Sequence, residues 1–109
     1  MYPKYVVYDD PDYGLVLVIG HVEYHRDLVD HRESIRGGGL FLIDNGKRTV
    51  TLSGSSHEFG TPSEEDLVEA VGNGVYTRRV VSELPDKYRI FLRDEACGSR
   101  ELFRGKRAN

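Results

Sequence analysis

His25 carries the side chain in this sequence that is best suited to chemistry near neutral pH. It lies in the polar segment Glu23-Tyr24-His25. An imidazole can act there as base, acid or nucleophile, because its unperturbed pKa is about 6.5. A solitary histidine is more often a surface or helix-capping residue. The residues that accompany His25 therefore decide its interpretation.

A loop rich in serine and glycine, residues 53–60, is the second candidate for chemistry. It reads Ser-Gly-Ser-Ser-His-Glu-Phe-Gly. Small residues expose backbone N–H groups and serine hydroxyls add donors, so the loop can form a concave nest for a phosphate-sized anion. The candidate substrate-binding residues here are Ser55, Ser56 and His57. An ordinary connection between two elements has the same composition, and that alternative stays open.

The triple glycine Gly37-Gly38-Gly39 is another place where backbone can approach a ligand closely. Glycine has no Cβ, so a ligand atom can come nearer to it than to any other residue. Gly38 and Gly39 are therefore added to the candidate substrate-binding residues. The structural alternative is that the glycines open a strand or form a β-bulge.

Metal binding is a competing use of the histidines. His21 and His25 are four residues apart, the spacing that puts two imidazoles on one face of a helix. Five companion ligands are available, namely Asp27, Asp30, His31, Glu33 and His57. The chain has no His-Glu-x-x-His or paired Cys-x-x-Cys motif, and no Gly-x-Ser-x-Gly elbow of a serine hydrolase. We expect neither a metal nor another cofactor, and rank a metal-dependent enzyme third among the hypotheses.

The composition predicts one globular domain. The chain has 109 residues, of which 39% are hydrophobic and 30% charged, enough to build one core. Its 15 basic and 18 acidic residues are interspersed and give a net charge of -3, which argues against nucleic acid and anionic lipid as partners. The longest apolar run, residues 15–19, is far shorter than the roughly 20 residues of a membrane-spanning helix. We expect no membrane association.

The cellular location is predicted from cysteine use and from the N-terminus. Cys97 is the single cysteine, which favours a reducing compartment and a free thiol without a role. The first residues lack the apolar region of a signal peptide. The expectation is a cytoplasmic protein.

Local patterns predict two hairpins in the first half of the chain. Residues 5–8 and 15–19 are β-type runs joined by a turn, and the second run is apolar throughout, as in a central strand that ends at Gly20. A short helix is expected near His25. Residues 40–43 and 47–52 flank Asn45-Gly46, which is typical of a type I′ turn with positive φ at both residues.

The second half of the chain predicts helices, one strand and a tail. Residues 61–64, Thr-Pro-Ser-Glu, favour a helix start, with a buried stripe of Leu67, Val68 and Val71 and an end at residues 72–74. Helical spacing predicts a second helix over residues 76–84, and residues 88–92 a last strand. Residues 94–109 are polar and include a basic run, 104–107, interpreted as solvated chain. We predict an α+β domain over 1–93, with a central mixed sheet and two or three flanking helices, and a C-terminal tail over 94–109.

The order of these motifs resembles the Janus/Ocnus family of phosphohistidine phosphatases. The similarity covers most of residues 3–92 through short motifs. These are residues 3–7 with Lys4, Glu23-Tyr24-His25-x-Asp27-Leu28-x-Asp30, the triple glycine, Gly54-x-Ser56-x-x-Phe59-Gly60, Thr77-x-x-Val80, Pro85-Asp86 and Tyr88-x-Ile90. A similar layout also occurs in small bacterial and phage proteins, which leaves the function open.

The resemblance implies a metal-independent site in which His25 acts on a phosphoryl group, as nucleophile or as base for water. Ser56 and neighbouring N–H groups would hold the phosphate oxygens, and Lys4 would neutralise developing charge. The chain has Leu40 and Ile19 where the family has basic residues. Three arginines are available as replacements, namely Arg26, Arg36 and Arg48.

Two hypotheses lead. The first is a phosphohistidine phosphatase-like protein that hydrolyses or binds a phosphoryl group on a phosphorylated protein or a small compound. The second is a non-catalytic binding module on the same fold, or one that forms a homodimer through the edges of its small sheet.

Overall fold

The computed structural model describes residues 2–77, 80–81, 87–94 and 98–103. In these ranges the chain forms one sheet with the order β6-β5-β2-β1-β3-β4-β7-β8. The strands are β1 (Tyr2–Asp10), β2 (Gly14–Val22), β3 (Ile35–Asp44), β4 (Thr49–Ser53), β5 (Val75–Thr77), β6 (Val80–Val81), β7 (Arg89–Asp94) and β8 (Gly98–Phe103). The described part also holds one α-helix, α1 (Glu64–Asn73), and two 3₁₀ turns, His25–Leu28 and Arg32–Ser34.

Strands β1 and β2 form the predicted hairpin at the centre of the sheet. They pair antiparallel with Val6 opposite Val18, and β2 is flanked on its other side by β5. Residues 15–19 are all buried, which confirms the prediction of a central strand. The strand does not end at Gly20 as expected but continues to Val22. A Cβ on Gly20 would lie only 2.9 Å from Leu28, so this glycine makes room for the 3₁₀ turn that packs above it.

The second hairpin, β3 and β4, has a different turn from the one predicted. Asp44 pairs with Thr49, so the loop contains four residues rather than two. Among the described non-glycine residues the only positive φ is that of Arg48, at 52°, and Gly46 is not among the glycines with positive φ. The type I′ prediction was therefore wrong. The Asp44 carboxylate accepts the N–H of Lys47 at 3.0 Å, and this bond closes the longer loop instead.

Helix α1 was predicted correctly in position, but its cap and its buried stripe need correction. The order Thr61-Pro62-Ser63-Glu64 predicts Thr61 as the N-cap, but the N-cap is Ser63, whose Oγ accepts the N–H of Asp66 at 3.1 Å. The buried residues are Leu67, Ala70 and Val71, whereas the predicted Val68 is 44% exposed.

The predicted second helix is contradicted over its described residues. Val75–Thr77 form β5, parallel to β2, and Val80–Val81 form β6. Pairing with the buried central strand outweighs the helical spacing of the apolar residues, because β-branched and aromatic side chains suit a sheet equally well. The rest of the predicted helix, 78–79 and 82–84, lies outside the described residues.

The C-terminal segment also differs from the prediction. Strand β7 confirms the expected last strand, but Gly98–Phe103 form a further strand, β8, that pairs antiparallel with it. Part of the expected tail is therefore an edge strand of the sheet, whose polar sequence is tolerated because an edge strand faces solvent. An ion pair between Arg89 and Glu101, at 2.8 Å, joins the two strands. Cys97 and residues 104–109 lie outside the described residues.

Two apolar clusters lie on the two faces of the sheet. The larger one packs under α1 and includes Tyr5, Leu17, Leu52 and Leu67. The smaller one includes Val6, Val18 and Leu28, and the 3₁₀ turn at residues 25–28 covers it. The chain is thus a single α+β domain composed mostly of sheet, with one α-helix in the described part where two or three were predicted. No helix among the described residues is long and apolar enough to cross a membrane.

Candidate functional site

The turn that carries His25 is fixed by its own backbone and by Asp27. The N–H of Asp27 donates to the carbonyl of Tyr24 at 2.9 Å, and the N–H of Tyr24 donates to the Asp27 carboxylate at 3.1 Å. These reciprocal bonds form a capping box. They confirm the short helical segment predicted near His25, and they set the direction in which the imidazole leaves the backbone.

The imidazole of His25 lies against the triple glycine in β3. Its Nε2 is 2.8 Å from the carbonyl oxygen of Gly39. A carbonyl oxygen only accepts, so Nε2 carries the proton and, in the neutral ring, Nδ1 has the free lone pair. Within the described chain only the Tyr5 hydroxyl is both buried and without a hydrogen-bond partner. Because Nδ1 of His25 also makes no hydrogen bond in that part of the chain, it must reach the surface.

The glycines are required by the close approach of their neighbours. A Cβ on Gly38 would lie 2.5 Å from the Tyr5 carbonyl oxygen and 2.9 Å from Cδ2 of His25. A Cβ on Gly39, on the other face, would overlap the Ser53 carbonyl oxygen and lie 2.7 Å from the Tyr5 ring. The triple glycine therefore lies inside strand β3, next to a register shift in its pairing with β1, and makes space for the His25 ring.

Burial is the largest influence on His25 and lowers its pKa below the ordinary value. The positive charge of Lys4 also lowers the pKa, while the bond to Gly39 and the negative charge of Glu58 raise it. Desolvation prevails because the ring is only 9% exposed. At neutral pH the imidazole is accordingly neutral, which is the form in which Nδ1 is a nucleophile or a base.

Two positively charged side chains, Lys4 and Arg26, lie over the Tyr24 ring next to His25. The Lys4 ammonium is 6.0 Å from the ring centroid and the Arg26 guanidinium 4.4 Å from it. Lys4 also donates to the carbonyl of Glu23, and Arg26 lies 3.3 Å from Glu58. Arg26 is thus the one candidate replacement arginine placed beside His25.

The other two replacement arginines lie elsewhere. Arg36 lies 3.4 Å from Asp9, and Arg48 belongs to the loop between β3 and β4. The sequence analysis named Arg26 only as one of three arginines and missed Tyr24 and Glu58. The capping spacing of Tyr24 and Asp27 was the signal that could have placed the Tyr24 ring.

The serine-rich loop is tied to the triple glycine rather than left open. Ser56 is buried, with 3% exposure, and its Oγ accepts the N–H of Phe59 at 3.1 Å. The N–H of Gly38 donates to the carbonyl of Gly60 at 3.0 Å. The Gly38 N–H and the Gly39 carbonyl are therefore already hydrogen-bonded within the protein.

The predicted site residues differ in whether they lie next to His25. Ser55 and His57 are exposed, and Glu58, between Phe59 and His57, is close enough to His25 to affect its pKa. Gly38 and Gly39 lie next to the His25 ring and Lys4 affects its pKa, while the described residues Ser55, Ser56 and His57 make no hydrogen bond or ion pair with it.

The helical metal-ligand pair does not form. His21 is in strand β2 and its ring lies edge-on to Phe41 at 5.5 Å, whereas His25 lies in the 3₁₀ turn over the other face. His31 is 3.8 Å from Glu33 and largely exposed. Over residues 2–77, 80–81, 87–94 and 98–103, no three His, Cys, Asp or Glu side chains form a group that could hold a metal ion.

Comparison of the chain with protein-family models, with curated proteins and with solved structures gives no match.

Proposed function

We propose that this protein acts on, or binds, a phosphoryl group at His25, as a phosphohistidine phosphatase-like protein with a Janus/Ocnus-like fold. The observation that carries the proposal is the hydrogen bond from Nε2 to Gly39, which leaves the Nδ1 lone pair of a neutral imidazole at the surface. Lys4 is close enough to affect the His25 pKa, and Lys4 and Arg26 both lie over the neighbouring Tyr24 ring. The substrate would be a phosphorylated protein or a small phosphoryl compound, met in the cytoplasm.

The proposed reaction begins with attack of the His25 Nδ1 lone pair on phosphorus. The bond from phosphorus to the substrate nitrogen breaks, its electron pair stays on that nitrogen, and the leaving amine takes a proton from water. Water then hydrolyses the phosphorylated His25, releases inorganic phosphate and restores the imidazole. In the alternative pathway Nδ1 takes a proton from the water that attacks phosphorus directly. Both pathways require the neutral ring.

Lys4 and Arg26 supply the positive charge that phosphoryl transfer requires. Charge spreads over the equatorial oxygens in the transition state, and fixed cations stabilise it. Both groups lie over the Tyr24 ring next to His25. Glu58 is the opposing charge, and a bound phosphate would compete with it for Arg26.

The test is hydrolysis of phosphoramidate and of a phosphohistidine peptide by the metal-free protein, compared with His25→Ala. We expect the variant to lose at least about a thousandfold in rate, as when a nucleophile is removed. His21→Ala is the matched control, since the His21 ring lies against Phe41 on the other face of the sheet. Equal rates for the original chain and His25→Ala would refute the proposal that His25 is catalytic.

A second function, a binding module without catalysis, is favoured by the exposed apolar side chains next to the site. Leu40 and Leu42 project from one face of β3 with 42% and 68% exposure, and Tyr2 and Tyr24 are more than half exposed. Lys4 pairs with Leu40 across β1 and β3. This surface fits a protein partner or a second copy of the chain.

Light scattering tests whether this surface binds a second copy of the chain or a different protein. A homodimer at micromolar concentration that Leu42→Lys converts into a monomer would support self-association through this surface. A monomer at all concentrations would restrict the surface to a different partner.

A further inference from the structure

A second concave region lies on the same face of the sheet as His25. It is a cleft of about 910 Å³, within the range of small-molecule sites. Its floor is formed by Val16 and Val18 of β2, and the segment that follows His25 forms one wall through Leu28 and Val29. We call it the tyrosine cleft, because Tyr8, Tyr13 and Tyr76 line it.

The three tyrosine rings come from three separate elements. Tyr8 belongs to β1, Tyr13 to the turn before β2, and Tyr76 to β5. The Tyr13 and Tyr76 rings lie 6.4 Å apart and are tilted by 34°. No Lys or Arg of the described chain lies over any of these three rings. Tyr13 is 64% exposed, so a ligand in the cleft can reach its ring.

Carboxylates dominate the charged groups that line the described part of the cleft. Asp10, Asp27 and Asp30 line it, and none of the lining residues that the structure describes is a Lys or Arg. His31 also lines the cleft and lies beside Glu33. The negative field is visible at Tyr8, whose pKa is raised first by burial and then by Asp10, Asp30, Glu33 and Asp9.

The carboxylates of the cleft also fix its walls through hydrogen bonds to the backbone. Asp10 accepts the N–H groups of Asp12 and Tyr13, at 2.8 and 3.2 Å, and so positions the Tyr13 ring. Asp27 closes the 3₁₀ turn. The described residues contain no three-ligand metal group, so the cleft is not built for a bare metal ion.

We infer that the tyrosine cleft binds an organic cation, an alkylammonium or guanidinium group, with its apolar part on Val16 and Val18. Tyrosine faces attract such cations, carboxylates add charge complementarity, and an apolar floor excludes a fully hydrated inorganic ion. The cation belongs to a free small molecule or to a basic side chain of another protein, and the recognition chemistry is the same. This inference is independent of the activity proposed for His25.

The test uses choline and its uncharged isostere 3,3-dimethylbutan-1-ol as probes of the ¹⁵N-labelled full chain by NMR. We expect choline to shift the amide signals of residues 8, 13 and 76 and to bind about fivefold or more tightly than the isostere. Equal affinity of the two probes, or shifts confined to other residues, would overturn the inference. This comparison needs no variant and is unaffected by variants that misfold.

Two variants then assign the affinity to the cleft. Tyr13→Leu keeps an apolar side chain but removes the ring, and should weaken choline binding about fivefold or more. Asp30→Asn removes charge while leaving the backbone bonds of Asp10 and Asp27 intact, and should weaken binding more at low than at high salt. The matched controls are Tyr2→Leu and Glu69→Gln, which should bind choline as the original chain does. Unchanged affinity in both test variants would contradict the inference.

The source of the cation is distinguished by a second pair of probes, acetyl-Gly-Arg-Gly amide and acetyl-Gly-Gln-Gly amide. Tighter binding of the arginine peptide than of choline would indicate a basic side chain of a partner. Tighter binding of choline would indicate a small quaternary ammonium compound. Failure of both cationic probes would overturn the inference.

Discussion

The His25 region and the tyrosine cleft lie on one face of the same sheet, yet different charged groups lie beside their aromatic rings. The segment between β2 and β3 contributes to both: its first residues supply His25 and Arg26, and later ones, from Asp27 to His31, line the cleft. At His25 the aromatic ring of Tyr24 is already occupied by Lys4 and Arg26. In the cleft Tyr13 is 64% exposed, and the described lining residues include Asp10, Asp27 and Asp30. The two proposals therefore assign ligands of opposite sign to similar aromatic surfaces, according to the charges beside them.

The largest expected difference between the regions comes from removing the cations at His25. Lys4→Met and Arg26→Gln should each lower phosphoramidate hydrolysis about a hundredfold, because fixed charge stabilises the transition state. Choline binding in the cleft should stay within twofold, which NMR titration measures. Arg36→Gln is the matched control, since Arg36 pairs with Asp9 away from His25. A loss in Arg36→Gln equal to that in Arg26→Gln would contradict the assignment.

The next effect concerns the space that Gly38 leaves for the His25 ring. Gly38→Ala should destabilise the fold by about 1–3 kcal/mol, because the new methyl group overlaps the Tyr5 carbonyl and the imidazole. Urea unfolding measures the loss, and the NMR signals of His25 should shift as its bond to Gly39 lengthens.

The matched control for Gly38 is Gly72 in α1. A Cβ there meets nothing within 4 Å, so Gly72→Ala should stabilise the helix by up to about 1 kcal/mol. If Gly38→Ala were as stable as Gly72→Ala, this would contradict the close packing of His25 against Gly38.

A smaller effect is the dependence of stability on pH. The unfolded His25 takes up a proton near pH 6.5, and the folded one only at lower pH, because burial lowers its pKa. This contribution to stability is therefore fully present above about pH 6.5 and is lost as the pH falls toward the lowered pKa, by at most about 1.4 kcal/mol per pH unit.

Urea unfolding at pH 7.5 and 5.5 checks this dependence. The original chain should lose more stability on acidification than His25→Gln does, whereas His57→Gln should behave like the original chain. Equal losses in the original chain and His25→Gln would show that the folded imidazole is protonated as readily as the unfolded one.

The smallest effect tests whether the two regions bind independently. Phosphate and choline should each raise the Tm. At several times its Kd, each ligand should add about 1 kcal/mol to the free energy of unfolding. Their effects should add, since the ligands contact different residues. Calorimetry with each ligand and with both measures this. A combined shift no larger than the greater single shift would place both ligands in one site.

The sequence predicted most reliably those elements whose local and long-range preferences agree. The β1–β2 hairpin and α1 have both turn or capping residues and a matching apolar pattern, and both were found. The segment after α1 was assigned to a helix because its apolar spacing fits one. Its described residues instead add strands beside β2, a preference that depends on a neighbour distant in sequence.

The candidate site was predicted in part for the same reason. His25 and Lys4 were identified from residue type and from motif order. The triple glycine was expected to contact a ligand, but it contacts the imidazole instead, because sequence does not show which partner fills the space left by a missing Cβ. The tyrosine cleft was missed entirely. Its rings come from β1, a turn and β5, and no local pattern connects them.

The order of the strands also determines how the chain can fold. The N-terminal strands and β3–β4 form the middle of the sheet, and the later strands join it in parallel at opposite sides, β5 beside β2 and β7 beside β4. Each of these parallel pairings closes a loop of dozens of residues. The chain therefore loses the entropy of loop closure before it gains the free energy of the new contacts. We expect the antiparallel core from β1 to β4 to form early and the outer strands to dock afterwards. Folding should accordingly be slow for a chain of this size, in milliseconds to seconds.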